Sequence, residues 1–571
     1  MNRVFRIVRR KSDGRLVVAC ERAKSRAKGI GSLMALCSAL MALGASPVGA
    51  ADVVVDSGTS ATVSSLTSDD GVSVPVVDIE APTNGVSHNQ YTKFNVPTQG
   101  LILNNTVGGS SAEFDSQLLN DDFDATDPNN SGNAFTNKVG RNFSSGNPAE
   151  LIINEVLSSG SRSQLEGQIE VVTSILDSVD IPTDASGGTS TVQIPRAVDV
   201  IIANPNGITC NGCGFINVDQ AVLATGSVDS ATTGQAVFDL NVSAGADLVI
   251  NGSGMTGAEL VLLAREISVQ GEINASGNLT LATDSGTATY DFSGDSVTTT
   301  SSGGGTAPEF VAIDSSHLGG MYANRIRLIS NEAGAGVRVR GDMAALGDQI
   351  EITADGHLQV IKDASGDAPE LDAQTIALET KAGSSGDITL TDAILTAEGD
   401  TSSGGSGGGG ILTIDSDADV NITRGSLTAT EGGAGTSGDI TIEGVNVTDN
   451  TDPGNGSTNT RNADGDFTIT ATGMVALDHI GLGADGFNVS GDSLTIGADA
   501  EVSVGLFDLD TVGDLTVLGE LVSTAPSGDG VSSLESSSGS VSVSGDAATV
   551  SANALEMRSD ASAASGGVSV D

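Results

Sequence analysis

The stretch GDITIEGVNV, residues 438–447, carries the pattern that decides the fold. Its apolar residues Ile440, Ile442, Val445 and Val447 are separated by polar or small residues. Alternation with a period of two is typical of a β-strand that buries one face and exposes the other. The stretch therefore predicts short strands with an apolar side facing inward and a polar side facing solvent.

Glycine-initiated runs of the same kind recur after residue 380 at spacings of 22 to 28 residues, with a mean near 25.5. They begin at Gly386, Gly410, Gly438, Gly465, Gly491, Gly513 and Gly539. A repeat of this length, built from strand-like runs and turn residues, is the signature of a β-solenoid, whose rungs stack about 4.8 Å apart. We therefore expect an all-β fold, a right-handed parallel β-helix of about 20 rungs and on the order of 100 Å in length.

Acidic residues dominate the composition, with 73 Asp or Glu against 25 Lys or Arg and a formal net charge of −48. This balance excludes a nucleic-acid binder, whose contact surface is basic. Aromatic residues make up only 3% of the chain, tryptophan is absent and glycine occurs 75 times. We expect a narrow interior filled by Val, Ile, Leu and Ala, which excludes bulky rings, with glycines at the corners.

Residues 1–50 resemble an export signal. Ten Lys or Arg and two acidic residues precede or flank an uncharged apolar run at 29–45, and small residues follow. This pattern predicts an extended signal peptide cleaved between Ala50 and Ala51. The alternative is a transmembrane anchor, for which the run is shorter than the ~20 residues that a spanning helix needs. When this segment is left out, the remaining residues 51–571 carry a net charge of −56.

The remaining chain divides into two parts. Residues 51–340 are irregular and predict an N-terminal module that caps and nucleates the coil, whereas 341–571 predict a plain repeat rod. The Gly/Ser-rich segments 284–305 and 401–410 are expected to protrude as loops. Because the sequence stops within a repeat-like run, we expect either a fragment of a longer protein or a frayed end.

The most specific motif is DVIIANPNGITCNGCGFINVDQAVLATG, residues 199–226. Within it, Asn204, Pro205, Asn206 and Gly207 predict a sharp chain reversal, because proline fixes φ and Asn-Gly tolerates the left-handed region. From these residues alone, the motif is a tight corner of a solenoid.

This motif resembles the secretion domain of two-partner-secretion exoproteins, the filamentous haemagglutinin and haemolysin group. The resemblance is carried by the NPNGI element, which ends at Ile208, and by the CNGCGFIN run at 210–217. Further similarity lies in order between residues 90 and 340, at 94–96, 100–105, 152–156, 163–167, 261–265, 318–328 and 332–337. The basic segment 1–28 is also similar to the long signal region of very large Gram-negative exoproteins.

The sequence departs from the family pattern in three places. Residues 106–138 and 173–192 resemble insertions, and an upstream NPNL-type element is present only in part, at 147–150. These departures leave the exact transporter-facing surface undefined, but not the family.

The resemblance implies how such a chain travels and what it meets. The Sec translocon would deliver it to the periplasm, and an outer-membrane β-barrel transporter with POTRA domains would recognise its N-terminal domain. Strand addition is the hypothesis for that contact. We expect a secreted or bacterial cell-surface adhesin, without a cofactor or a metal, whose rod binds a receptor on a host or neighbouring cell that the sequence does not identify.

Two alternatives belong to other functional classes. The chain could be the stalk of a contact-dependent inhibition or haemolytic toxin whose effector lies beyond residue 571. It could also be a polysaccharide-active enzyme, because some enzymes of that class are β-helices with paired acids in a groove. Separations between carboxylates cannot be obtained from the sequence, and no Ser-His-Asp or metal-ligand pattern accompanies the acids. A solvated acidic surface is therefore favoured over a catalytic one.

Calcium binding by the acidic turns is a weak hypothesis, because the sequence shows no EF-hand or nonapeptide spacing.

Cys210 and Cys213 are the only cysteines after the signal segment. A redox-active pair would need a thioredoxin-like helix start, and a zinc site would need two further ligands, whereas the four histidines are scattered. We favour a disulfide that closes a four-residue loop, with two free thiols as the alternative. Such a small loop could pass a narrow pore.

Overall fold

The computed structural model describes 6–9, 16–19, 53–120, 137–182, 189–229, 237–242, 246–294, 296–300, 310–347, 349–400, 408–433, 436–450, 459–526, 530–559 and 568–570. Its regular structure in these ranges is β-strand, numbered β1 to β55 along the chain. Within the same ranges there is no helix of the length and apolarity needed to cross a membrane. Of the predicted signal segment, the structure describes 6–9 and 16–19, and the cleavage site at Ala50 and Ala51 lies outside the described residues.

The strands wind into a parallel β-helix with three faces, which we call A, B and C. Each turn contributes one strand to each face, and each strand pairs in parallel with its equivalent in the next turn. Four long strands bend through a corner and serve two faces, namely β38 Ile388–Ala397, β40 Val420–Ala429, β46 Ile480–Gly491 and β48 Glu501–Thr511.

The strands that belong to face A alone are β6 Val86–Phe94, β10 Leu151–Val156, β15 Val198–Ala203, β18 Val218–Ala224, β23 Glu259–Ala264, β26 Leu279–Thr283, β31 Ile326–Ser330, β34 Gln349–Ala354, β37 Thr375–Thr380, β39 Ile411–Asp415, β41 Asp439–Gly444, β44 Asp466–Ala471, β51 Ser532–Ser536 and β54 Leu555–Ser559. Those of face B are β11 Ser163–Leu165, β16 Ile208–Cys210, β21 Leu248–Ile250, β24 Ile267–Val269, β29 Val311–Ser315, β32 Gly336–Val339, β35 Leu358–Ile361, β42 Val447–Asn450, β45 Met474–Asp478, β47 Ser493–Ile496, β49 Leu515–Val517, β52 Val541–Val543 and β55 Val568–Val570. Those of face C are β5 Ser73–Asp78, β7 Leu101–Asn105, β12 Gln168–Thr173, β17 Cys213–Ile216, β22 Met255–Gly257, β25 Ile273–Ala275, β30 Met321–Ala323, β33 Met343–Ala345, β36 Glu370–Ala373, β43 Asn459–Ala463, β50 Glu520–Ser523 and β53 Thr549–Ser551.

The remaining described strands pair in antiparallel fashion. They are β1 Arg6–Arg9, β2 Leu16–Ala19, β3 Val53–Val55, β4 Thr62–Thr67, β8 Glu113–Asp115, β9 Lys138–Gly140, β13 Leu176–Pro182, β14 Thr189–Pro195, β19 Ser227–Val228, β20 Val237–Asn241, β27 Thr287–Asp291 and β28 Ser296–Thr300. Strands β19, β20, β27 and β28 form a four-stranded sheet, which we call the outer sheet. It packs on the outside of face A through residues such as Leu240 and Tyr290, so that Ile153 and Ile201 are buried on a side that would otherwise face solvent.

The expected protrusion of residues 284–305 is therefore partly wrong. Strands β27 and β28 of this segment belong to the outer sheet, and Tyr290 is 1% exposed. The segment's Ser and Thr residues fit antiparallel strands as well as loops, because β-branched Thr has high strand propensity. Residues 295 and 301–305 of this segment, and 401–407 of the second predicted loop, lie outside the described residues.

The all-β, parallel β-helical fold predicted from the repeats is confirmed, but its details differ. Sixteen described strands stack along face A, which gives a length on the order of 70 Å rather than 100 Å. The early turns consume far more than 25 residues, since β6, β10 and β15 begin at residues 86, 151 and 198.

The interior holds one continuous apolar cluster that runs from Val53 to Val543. It is dominated by Val, Ile, Leu and Ala, as expected, but it also admits rings. Phe467, Phe487 and Phe507 are ladder partners in three successive turns of face A and are all buried. The expectation that bulky rings do not fit is wrong for these turns, where Phe467 and Phe487 pack edge to face with their ring centroids 6.1 Å apart.

Candidate functional site

The turn at Asn204–Gly207 connects face A strand β15 to face B strand β16. Its carbonyl at Asn204 accepts a hydrogen bond from the N–H of Gly207 at 3.0 Å, which closes a β-turn with Pro205 and Asn206 in the central positions. Proline at the first central position presets the backbone for this turn. Pro205 and Asn206 are half-buried, so one side of the turn remains accessible.

Asn204 is completely buried and organises the turn. Its Nδ2 donates to the carbonyl of Ser161 at 2.8 Å and to Ser163 Oγ at 2.9 Å. Its Oδ1 accepts the backbone N–H of Asn206 at 2.8 Å. Because every polar atom of this buried amide is bonded, removal of the side chain would leave several partners unsatisfied.

Asn206 joins the turn to the preceding rung. Its Nδ2 donates to the carbonyl of Leu157 at 3.0 Å. Leu157 begins the equivalent turn one rung earlier, where its carbonyl also accepts the N–H of Gly160 at 2.8 Å. The two asparagines therefore fasten one turn onto another, and Ile208 enters face B fully buried between Ser163 and Leu248.

Gly207 has a φ of 99° and lies against the side chain of Arg162. A Cβ at this position would lie 2.8 Å from Arg162 Cζ. The Arg162 guanidinium also contacts the strand that follows the turn. Its Nη1 donates to the carbonyl of Ile208 at 3.0 Å and to Thr209 Oγ1 at 3.1 Å, and its Nη2 pairs with Asp247. Glycine is required here both by its backbone angle and by the space that the arginine takes.

Cys210 and Cys213 are joined by a disulfide with a Cα–Cα distance of 5.4 Å. The two residues end β16 and begin β17, so the bridge closes the corner between faces B and C. Both cysteines are buried, and the N–H of Gly212 donates to the carbonyl of Gly254 at 2.8 Å one rung later. The corner is thus fixed covalently within one rung and by hydrogen bonds to the next.

A cleft of about 280 Å³ opens beside the turn, between the end of β10 and the outer sheet. It is lined by Glu155, Val156, Leu157, Ser158, Pro205, Ser227 and Asn241. Burial raises the pKa of Glu155, but hydrogen bonds from His88, Val228 and Gln90 outweigh it and hold that pKa below its usual value. The ionised carboxylate, 2.9 Å from His88 Nε2 and 3.0 Å from the N–H of Val228, ties the outer sheet to face A next to the turn.

Asp199 lies at the other end of β15. Burial, together with the nearby carboxylate of Asp219, raises the pKa of Asp199 to about 6, although a hydrogen bond with the backbone of Gln220 acts in the opposite direction. Two acids in close proximity disfavour simultaneous ionisation. This strand therefore carries a group that titrates in the weakly acidic range.

The structure gathers the residues predicted from the sequence into one short region and adds others. Asn204 to Ile208, Cys210 and Cys213 lie on one turn and the two strands after it. Sequence reasoning missed Arg162, Asp247 and Glu155. Arg162 comes directly before the family-like stretch 163–167, and this position was the one sequence clue to its importance. Nothing in the sequence connects Arg162 with Asp247, which lies 85 residues away.

Among the described residues, one group of three side chains could hold a metal ion, namely Asp478, His479 and Asp499. The ring nitrogens of His479 lie 3.2 Å from Asp478 Oδ2 and 3.2 Å from Asp499 Oδ2. Exposed acidic groups beside a histidine ring are common on an acidic surface, so this arrangement alone does not point to a metal centre.

Comparison with known proteins places these features in context. A family model described as "TPS secretion domain" matches residues 51–177 and 188–360, more than half of the chain. The 16S rRNA endonuclease CdiA of Enterobacter cloacae is 34% identical over 394 residues, which cover 66% of this chain and 10% of that protein. The tRNA nuclease CdiA of Yersinia mollaretii is 36% identical over 294 residues, or 51% of this chain and 8% of that protein. The chain thus spans about a tenth of the length of these relatives.

Two solved structures are also similar. The filamentous hemagglutinin secretion domain is 21% identical with a TM-score of 0.40, covering 72% of this chain and 99% of that chain. The HMW1 secretion domain from Haemophilus influenzae is 13% identical with a TM-score of 0.32, covering 91% of this chain and 99% of that chain.

Proposed function

Because this chain belongs to the TPS secretion-domain family, we propose that it is an exported exoprotein whose N-terminal module, residues 51–340, is recognised by a dedicated outer-membrane transporter. The module is the recognition signal for export, and residues 341–571 form a rod that serves adhesion. The Sec translocon delivers the chain to the periplasm, and POTRA domains of the β-barrel transporter receive it.

The observation that supports this proposal most directly is the Asn204–Gly207 turn. It is a buried, fully hydrogen-bonded feature with one accessible side, formed by Pro205 and Asn206. Arg162 and the Cys210–Cys213 disulfide hold the strand that follows it. A turn so constrained presents the same surface in every molecule, as a recognition element requires.

The fold also suits export by folding outside the cell. Each rung contacts only its neighbours, so rungs can stack one after another as the chain emerges. The disulfide closes a loop between residues only three apart in sequence, so it does not hinder passage of an unfolded chain.

The experiment is a secretion assay of the variant Asn204→Leu. Leucine cannot replace the amide's hydrogen bonds, so we expect the variant to accumulate in the periplasm instead of the medium. The matched control is Asn488→Leu, the same substitution on the outer side of strand β46, which should reach the medium normally. Normal amounts of Asn204→Leu in the medium would count against a role for the turn.

A second candidate is the stalk of a contact-dependent inhibition toxin. Its support is the similarity to proteins named as nucleases, of which this chain covers about a tenth. A reading frame that continues past residue 571 into a nuclease-like domain would favour this candidate, whereas a stop codon or further repeats would favour the adhesin.

A further inference from the structure

Asp449 and Arg461 form an ion pair inside the β-helix. Their side chains are 1% and 0% exposed. Arg461 Nε donates to Asp449 Oδ2 and Nη2 donates to Oδ1, each at 2.7 Å, in a bidentate arrangement. Nη1 donates to the carbonyls of Gly425 and Thr460 at 3.1 and 3.0 Å.

Both residues occupy positions that are aliphatic in the neighbouring turns. On face B, Asp449 stands between Ile422 and Leu477 of the turns before and after it. On face C, Arg461 stands between Leu427 and Leu482. Replacement of a buried ion pair by apolar residues is often neutral or stabilising. Stability alone therefore gives no reason for two charges in these ladders.

The rung that contains this pair differs from its neighbours at the corner between faces B and C. In the two preceding turns, β38 and β40 run through that corner without interruption, with Asp392 and Arg424 at positive φ. Here, eight residues separate β42, which ends at Asn450, from β43, which begins at Asn459. The length of this connection does not by itself fix which residue enters face C first.

The sequence of β43 gives little further guidance. Its five residues, NTRNA, include a single aliphatic residue, Ala463. The face C portions of β40 and β46 instead place Leu427 with Ala429, and Ile480 with Leu482, in the interior. The register of a strand is normally set by its pattern of apolar residues, and that pattern is nearly missing here.

We propose that the Asp449–Arg461 pair sets the register of β43 on face C and thereby closes this rung. A slip of two residues would keep the same side of the strand inward but would move the guanidinium one position along the face. Asp449 would then remain buried without its partner, which is strongly unfavourable. The pair thus replaces the missing apolar pattern, as a buried polar residue fixes register in a coiled coil.

Disulfide trapping on the outer side of face C reads the register directly. Thr428 and Asn462 are direct ladder partners, whereas Thr460 is two residues away from that position. In the full chain, Thr428→Cys with Asn462→Cys reports the native register, and Thr428→Cys with Thr460→Cys reports the slipped one. A direct partner across parallel strands lies within disulfide reach, but a diagonal one lies beyond it.

With Asp449 and Arg461 intact, we expect efficient cross-linking of the native pair and almost none of the slipped pair. Asp449→Asn should lower the ratio of native to slipped cross-link by at least fivefold. Asp392→Asn, which breaks the half-buried ion pair that joins Asp392 and Arg424 of the two preceding turns, is the matched control and should leave the ratio unchanged. The double variant Asp449→Leu with Arg461→Leu should restore the native ratio, because leucine supplies the apolar pattern that β43 lacks.

A wild-type ratio in Asp449→Asn would overturn the proposal. The same loss in the double leucine variant as in Asp449→Asn would also overturn it, since the loss would then not depend on an unpaired charge. If Asp449→Asn gives neither cross-link, the double leucine variant decides: recovery of the native cross-link supports the proposal, and failure to recover it contradicts the proposal.

Discussion

Gly207 illustrates how single residues control the candidate site. Its φ of 99° suits glycine, and the Arg162 guanidinium occupies the place of a side chain. Asn204 and Asn206 were identifiable from the sequence because Asn-Pro-Asn-Gly has a specific turn chemistry. The contacts of Arg162 could not be predicted, because they join residues 46 to 85 positions apart.

Gly207→Ala should destabilise the protein by about 1–3 kcal/mol, because alanine must adopt a left-handed backbone and displace Arg162. The measurement is the free energy of unfolding from urea denaturation. Gly252→Ala is the control, since a Cβ there has no heavy atom within 4 Å. Equal stability of the two variants would contradict this role of Gly207.

Asp199 should make stability depend on pH in the weakly acidic range. Its pKa is raised in the folded protein, to about 6, above its value in the unfolded chain. Its contribution to stability is therefore complete below about pH 4 and is lost as the pH rises through 6. In Asp199→Asn, the midpoint of urea denaturation should fall less between pH 4 and pH 7 than in the wild type, and parallel pH profiles for the two proteins would refute this assignment.

At the scale of elements, the spacing of glycine-initiated runs predicted the period but not the faces. Runs after Gly410, Gly438 and Gly465 enter face A, whereas those after Gly386, Gly491, Gly513 and Gly539 enter face B. The mean of 25.5 residues still fits, because the first and last runs both lie on face B, six turns apart. The short Gly-Asp sequences that begin most of these runs are similar on faces A and B, so the sequence alone does not show which face a run enters.

The outer sheet could not be anticipated either. Its strands come from 227–241 and 287–300, and they pair across an intervening portion of the coil. Alternating Thr and Ser residues indicate strand or loop equally well, and only tertiary packing against face A decides between them. The disulfide, by contrast, joins neighbours in sequence and was within reach of sequence reasoning.

The ladder partners Phe467, Phe487 and Phe507 should act as one unit. The rings of Phe467 and Phe487 have centroids 6.1 Å apart, and Phe507 follows in the next turn. Phe487→Ala should lower the free energy of unfolding by about 3–5 kcal/mol, through lost burial and a cavity. In a double-mutant cycle with Phe467→Ala, urea denaturation should reveal non-additive losses because the rings touch, and strictly additive losses would show that the rings act independently.

The whole molecule carries its negative charge on a long surface. Residues 51–571 contain 15 basic side chains, and at least ten of these form ion pairs among the described residues: Lys138, Arg162, Arg196, Arg265, Arg327, Arg338, Arg340, Lys381, Arg424 and Arg461. The basic residues thus neutralise particular neighbours, and the excess acids leave a net negative surface, a charge balance that opposes self-association in general. Composition predicted this acidic exterior, but which acids are paired depends on the stacking of distant rungs.

The most direct test of the central claim, export through a dedicated transporter, is a comparison of cells with and without the outer-membrane β-barrel transporter proposed for this chain. The measured quantity is the fraction of the full chain found in the medium. We predict that the chain reaches the medium only when the transporter is present and otherwise remains in the periplasm. Equal fractions in the medium with and without the transporter would contradict the account.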